Sequence, residues 1–308
     1  MPVRLATRSW DGKDNGELVA SASAGGPLAL LIHGVTSSSR TWWRLAPELV
    51  RRGYRVLALD LRGHGASPPV DDELVLGDLT ADVVETLRAL GPRRPENALD
   101  AAGARGPGAA RGAAESRRYG GEDQGPTIDL LIGHSLGALV ALDLLATVPG
   151  VARRLVLEDP PGPTGVDWPA MSEGIRADGR RARSDPEAMR RELVAGNPAW
   201  VPEEADRRLA DLVACDSDGI AAALSRTTAF DLIGLASAVR VPTLLVIGLE
   251  RLGSALLGPD RPALVAALDG HADVEVLDTG HNLHREAFTR YLEVLDRWLA
   301  ATASAVGR

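Results

Sequence analysis

A serine stands between two glycines in Gly133-His134-Ser135-Leu136-Gly137, with the apolar run Leu130–Ile132 before it and a helical pattern after it. G-x-S-x-G between a strand and a helix describes a sharp turn that lifts a hydroxyl clear of a sheet edge. Small residues two before and two after the serine suit such a turn, because main chains crowd there. The hydroxyl then stands at a helix N-terminus, where the N–H of Leu136 and the helix dipole face any developing oxyanion. A serine hydroxyl also needs a base. Of the six histidines, His281 in "LDTGHNLHREAF" follows the last strand pattern and precedes the last helix, at the same sheet edge as Ser135. His284, at the start of that helix, is its rival. His33 ends a strand beside Gly34, His64 lies in the turn "RGHGAS", His134 is inside the elbow, and His271 reads as exposed.

These residues need a frame, and the apolar pattern supplies one. "PLALLIHG", "YRVLALDLRGHG", "TIDLLIG", "RRLVLED", "VPTLLVIG" and "ADVEVLD" read as strands; "VRLATRSW" and "GELVAS" are fainter candidates near the N-terminus. Helical patterns such as "TWWRLAPELVRRG", "DLTADVVETLRALG" and "SLGALVALDLLATVPG" fall between them, with Asp78 and Gly91 as start and stop of the second. Alternation of this kind predicts an α/β fold with a mostly parallel sheet and helices on both faces. Two stretches break the rhythm. Residues 91–126 are rich in Gly, Ala, Arg and Pro and nearly lack large apolar side chains, so a largely disordered surface insertion is expected. Residues 166–237 are charged and helical, the natural place for a lid. The expected division is a core of 1–165 and 238–308 with a helical cap of 166–237.

Composition narrows the function. The 308 residues carry a net charge of -8, which argues against a nucleic-acid partner. One cysteine, Cys215, precludes an internal disulfide and fits a reducing cytoplasm. The charged N-terminal stretch lacks the apolar run of a secretory signal, and nothing approaches the roughly 18 to 20 apolar residues of a membrane span. A cytoplasmic protein with a small-molecule substrate is expected, with no cofactor, no metal and no membrane partner; its oligomeric state is left open.

Taken together, "HGVTSSSRTWW", "LDLRGHGAS", "GHSLGA", "RLVLEDPPG", "VPTLLVIG" and "TGHNLHREAF" occur in an order and spacing that resembles the α/β-hydrolase superfamily. The resemblance implies an eight-stranded sheet, a triad in the order Ser, acid, His, and an oxyanion hole from the N–H groups of Leu136 and Val35. It also implies a serine hydrolase acting on a small carboxylic ester through an acyl-enzyme. C–C bond hydrolysis, perhydrolysis and a non-catalytic binding role on the same scaffold stand as alternatives. A serine at the elbow argues against the branches that use Asp or Cys there. Relatives usually carry an Asp shortly after the glycine that ends the seventh strand, but here Gly248 is followed by Leu249, Glu250 and Arg251. Glu250 is therefore preferred as the acid, Asp159 in "LVLEDPPG" is second, and Asp260 is more distant. Trp42, Trp168 and Trp200, with Met171 and Phe230, are candidate pocket residues, although packing explains them as well. Arg176, Arg180, Arg181 and Arg183 could meet an anion or form a solvated helix face.

Overall fold

The computed structural model describes residues 1–10, 26–71, 74–91, 125–164, 166–226 and 230–306. Among these, seven strands form one sheet: β1 (Thr7–Trp10), β2 (Leu28–Ile32), β3 (Arg55–Leu59), β4 (Leu130–His134), β5 (Leu155–Glu158), β6 (Thr243–Ile247) and β7 (Ala272–Val276). Their order is β1-β3-β2-β4-β5-β6-β7. Only the β1–β3 pair is antiparallel. The eighth strand expected near "GELVAS" and most of the 91–126 insertion lie outside the described residues.

The central strands are apolar on both sides because both sides are covered. In β2, Leu28, Leu30 and Ile32 join one core cluster, while Ala29 and Leu31 join the other. The first cluster takes side chains from α2 (Leu76–Ala89), α3 (Leu136–Thr147), α8 (Leu232–Ser237) and α9 (Asp260–Ala267). The second takes them from α1 (Leu45–Arg51) and α11 (Phe288–Val306), the helix that follows the short α10 (Leu283–Glu286). Burying each Leu or Ile contributes about 1.5–3 kcal/mol, so strands such as β2 and β4, buried at every position, anchor the sheet. The second helix begins at Leu76, earlier than the sequence suggested, and Asp78 caps it by accepting from the Val75 N–H at 3.0 Å.

Between β5 and β6 lie α4 (Trp168–Ser184), α5 (Pro186–Gly196), α6 (Pro202–Ala214), α7 (Ser217–Arg226) and α8. The first four have small cores of their own, around Ile175, Cys215 and Ile220 and around Ala182, Met189 and Leu212. By contrast, Leu232 and Ala236 of α8 pack into the main core.

The strand order reverses direction at β2, which pairs with β3 on one side and β4 on the other. In open α/β sheets a crevice opens at such a switch, beyond the carboxyl ends of the strands. Here the loop after β2 begins at His33 and the turn after β4 begins at Ser135.

Candidate active site

Ser135 stands between β4 and α3 with φ 53° and ψ -120°. A non-glycine residue in this region stores about 1–3 kcal/mol of strain. Close packing around it explains the flanking glycines. A Cβ on Gly137 would lie 2.1 Å from the Ile32 carbonyl oxygen, and one on Gly133 would lie 2.3 Å from the Gly137 oxygen. Helix α3 starts at once, with the Ala138 N–H donating to the Ser135 carbonyl at 2.9 Å. Among the described residues, four non-glycine positions have positive φ: Thr36, Ser135, Asp159 and Asp269. Three of these fall at the carboxyl ends of β2, β4 and β5, where a strained backbone aims groups into one space.

Asp159 directly follows β5 and is wholly buried. Its Oδ2 accepts from His281 Nδ1 at 2.7 Å and from the Ala255 N–H at 2.7 Å. Its Oδ1 accepts from the Ser254 hydroxyl at 2.6 Å and the Gly248 N–H at 3.1 Å. Four donors hold a carboxylate that water cannot reach, which offsets the cost of burying it. With Nδ1–H committed to Asp159, the other ring nitrogen of His281 keeps its lone pair. The ring is placed by a further contact, His134 Nε2 donating to the His281 carbonyl at 2.9 Å, with the two rings 4.7 Å apart.

The preference for Glu250 is thus corrected: the structure brings Asp159, not Glu250, to His281. The Glu250 carboxylate accepts from the Gly258 N–H at 2.9 Å and sits 3.6 Å from Arg261 Nε. The loop after β6 supplies hydrogen-bond donors to a carboxylate on the neighbouring strand instead of supplying the carboxylate. Asp260 is also engaged elsewhere, by the Thr164 N–H and hydroxyl, both at 2.8 Å. His284 is buried away from the cavity. Its backbone N–H and Nδ1 bond Glu158, its Nε2 meets the Thr41 hydroxyl at 2.7 Å, and burial pushes its pKa down to about 3.

The loop after β2 presses against the elbow, since a Cβ on Gly34 would come 2.9 Å from that of Ser135. Two neutral histidines brace it. His33 Nε2 accepts from the Leu61 N–H at 3.0 Å, so its Nδ1–H donates to the Gly34 carbonyl at 2.7 Å. His64 Nε2 accepts from the Thr36 N–H at 3.0 Å, and its Nδ1–H donates to the Arg62 carbonyl at 2.9 Å. Burial lowers both pKa values, that of His64 to about 3. The Thr36 N–H is therefore occupied.

A cavity of about 880 Å³ opens over these groups. Ser135, His281, Val35 and Leu136 line it, as do Trp168 and Trp200 among the expected pocket residues, and Met171 and Phe230. Trp42 does not: it is fully buried on the other face of the sheet, its ring 4.7 Å from that of His284. Arg180 pairs with Glu173 at 2.9 Å, Arg181 with Glu192, Arg176 lies 3.9 Å from Asp218, and Arg183 reaches the Cys215 carbonyl; none of the four lines the cavity. The arginines that do, Arg208, Arg226 and Arg285, were not singled out by sequence reasoning, and no spacing or motif marks them.

The helix α6 is tied to the residues that follow β2 and to Arg285. On α6, Asp211 accepts from the Ser38 hydroxyl at 2.5 Å and lies 3.9 Å from Arg285, while Glu204 accepts from Trp43 Nε1 at 2.9 Å. Among the described residues, no group of three or more His, Cys, Asp or Glu side chains converges as metal ligands would. No described helix is long and apolar enough to cross a membrane.

Comparison with known proteins agrees with this architecture. The chain is 24% identical over 220 residues to a serine hydrolase-like protein of Dictyostelium discoideum, covering 68% of this chain and 49% of that one. It is 30% identical over 164 residues to an sn-1-specific diacylglycerol lipase of Xenopus laevis, covering 53% and 39%. The chain thus aligns with about half or less of the length of these relatives. Among solved structures, a thermophilic esterase from Thermogutta terrifontis superposes with a TM-score of 0.64 at 20% identity, covering 96% of this chain and 93% of that one. The profile of the alpha/beta hydrolase family matches residues 29–294, and the chain belongs to that family.

Proposed function

We propose that the protein is a serine hydrolase that cleaves a small carboxylic ester or related acyl substrate, with Ser135 as nucleophile, His281 as base and Asp159 as the orienting acid. The observation that carries this reading is the contact of the buried Asp159 with His281, a residue that lines the same cavity as the strained Ser135. His281 takes the Ser135 proton on the nitrogen facing away from Asp159 as Oγ attacks the carbonyl carbon. The tetrahedral oxyanion is received by the N–H groups of Leu136, at the start of α3, and Val35. The occupation of the Thr36 N–H by His64 supports Val35 as the donor from that loop. The imidazolium, stabilised by Asp159, returns its proton to the leaving group. Water deprotonated by His281 then releases the acyl group.

A lone buried cysteine suits the reducing cytoplasm in which we place the protein. The reading is tested with short 4-nitrophenyl esters. Wild type is expected to hydrolyse them at least about 10³-fold faster than Ser135→Ala. Equal rates in the two proteins would remove the case for an ester hydrolase.

A further inference from the structure

We propose that the substrate carries a carboxylate and that Arg208 receives it; this rests on the hydrolase reading above and names the substrate class for the same cavity. Over the whole chain acidic residues outnumber basic ones, 42 to 34. The charged residues lining the cavity run the other way: Arg208, Arg226 and Arg285, with no Asp or Glu among the described lining residues. The remaining wall is mostly apolar, and a low-dielectric wall strengthens the attraction of a cation for an anionic guest.

The arginines are not equivalent. Arg285 is compensated, lying 3.6 Å from Glu204 and 3.9 Å from Asp211, with its guanidinium over the Trp200 ring at 5.0 Å. Arg208 is held differently. Its Nη1 donates to the Thr36 carbonyl and its Nη2 donates to the Thr36 hydroxyl at 2.7 Å. Among the described residues no carboxylate comes within 4 Å of it. A guanidinium has five N–H groups in a rigid fork, and the two bonds to Thr36 leave three for a guest. Thr36 adjoins Val35, so the fork is fixed beside the loop that faces Ser135. Burial, reinforced by the charge of Arg285 and opposed by the more distant Asp211 and Asp178, lowers the Arg208 pKa to about 10, so it stays charged at neutral pH but has no counter-ion in contact. A carboxylate in the cavity would supply one through charge-assisted hydrogen bonds.

The test compares acid esters with neutral isosteres. One pair places the acid on the acyl side, 4-nitrophenyl hydrogen glutarate against 4-nitrophenyl methyl glutarate. The other places it on the alcohol side, 4-acetoxybenzoate against 4-acetoxybenzamide. In wild type, one of the two pairs is expected to show kcat/KM favouring the acid by about tenfold or more. Arg208→Gln should bring that ratio near one, while Arg176→Gln, outside the cavity lining, should leave it intact. Because the ratio is taken within one protein, any loosening of the Thr36 loop in the variant divides out. Neither pair reaching tenfold in wild type, or a preference that Arg208→Gln leaves standing, would overturn the proposal. Glutarate binding to the Ser135→Ala protein, measured by calorimetry, separates this proposal from the hydrolase reading. Binding should weaken about tenfold when Arg208→Gln is added, whether or not Ser135 is the nucleophile; unchanged binding would count against Arg208 alone.

Discussion

A carboxylate with no exposed surface and four donors around it, such as Asp159, is held in one position by its neighbours. If it orients His281, Asp159→Asn should present the wrong hydrogen-bonding partner to Nδ1 and lower kcat by about 10³–10⁴-fold, with residual rate from the oxyanion donors. Glu250→Gln, which alters a loop contact to Gly258, should stay within about twofold of wild type. Steady-state kinetics on a 4-nitrophenyl ester checks both, and the reverse ranking would reinstate Glu250 as the acid. The positions of Ser135 and His281 beyond strand ends were legible in the sequence because their neighbours announce them. Which carboxylate meets His281 was not. Choosing between Asp159 and Glu250 depends on which one meets Gly248 N–H, Ser254 and Ala255, and that follows from the path of a loop 89 to 96 residues further along the chain. Trp42 misled for a related reason: adjacent tryptophans on one short turn can face opposite ways, and it was Trp43 that turned toward α6.

The loop after β2 and the turn after β3 form the next level, and the neutral state of His64 couples them. Its pKa is about 3 in the folded protein against an ordinary 6.5, because burial penalises the charged ring. Between those values the unfolded chain binds a proton that the folded protein does not. Stability from the neutral ring is therefore complete above pH 6.5 and lost as pH falls toward 3. His284, also near 3, acts in the same direction. Urea unfolding should show stability falling from pH 7 to pH 5, with each histidine contributing up to about 1.4 kcal/mol per pH unit. His64→Gln should be less stable at pH 7 and show a shallower pH slope by about one proton; an unchanged slope would mean that His64 is not the group involved. In the sequence these elements showed as "HGVTSSS" and "RGHGAS", and their place at strand ends was readable. That one histidine would occupy the Thr36 N–H, narrowing the donors of the loop, required the three-dimensional approach of two turns.

Across the whole molecule, the sheet gathers residues that the chain keeps far apart: Asp159 and His281 are 122 positions from each other yet 2.7 Å apart in space. This convergence follows from parallel strands delivering their carboxyl ends to one edge, with the switch at β2 opening the crevice there. The alternation of apolar runs and helical patterns made the mostly parallel sheet readable in the sequence, but not the order of its strands or the switch at β2. The insertion was readable as helical but not in its attachment. Asp211 and Glu204, which seat α6 on Ser38 and Trp43, look in sequence like the solvated charges around them. The most direct test of the assembled site is covalent trapping. The folded protein is treated with a fluorophosphonate and the modified peptide is located by mass spectrometry. Stoichiometric labelling confined to Ser135, lost on prior unfolding, is the expected result. An unlabelled protein, or a label carried by some other serine while Ser135 stays unmodified, would contradict the account.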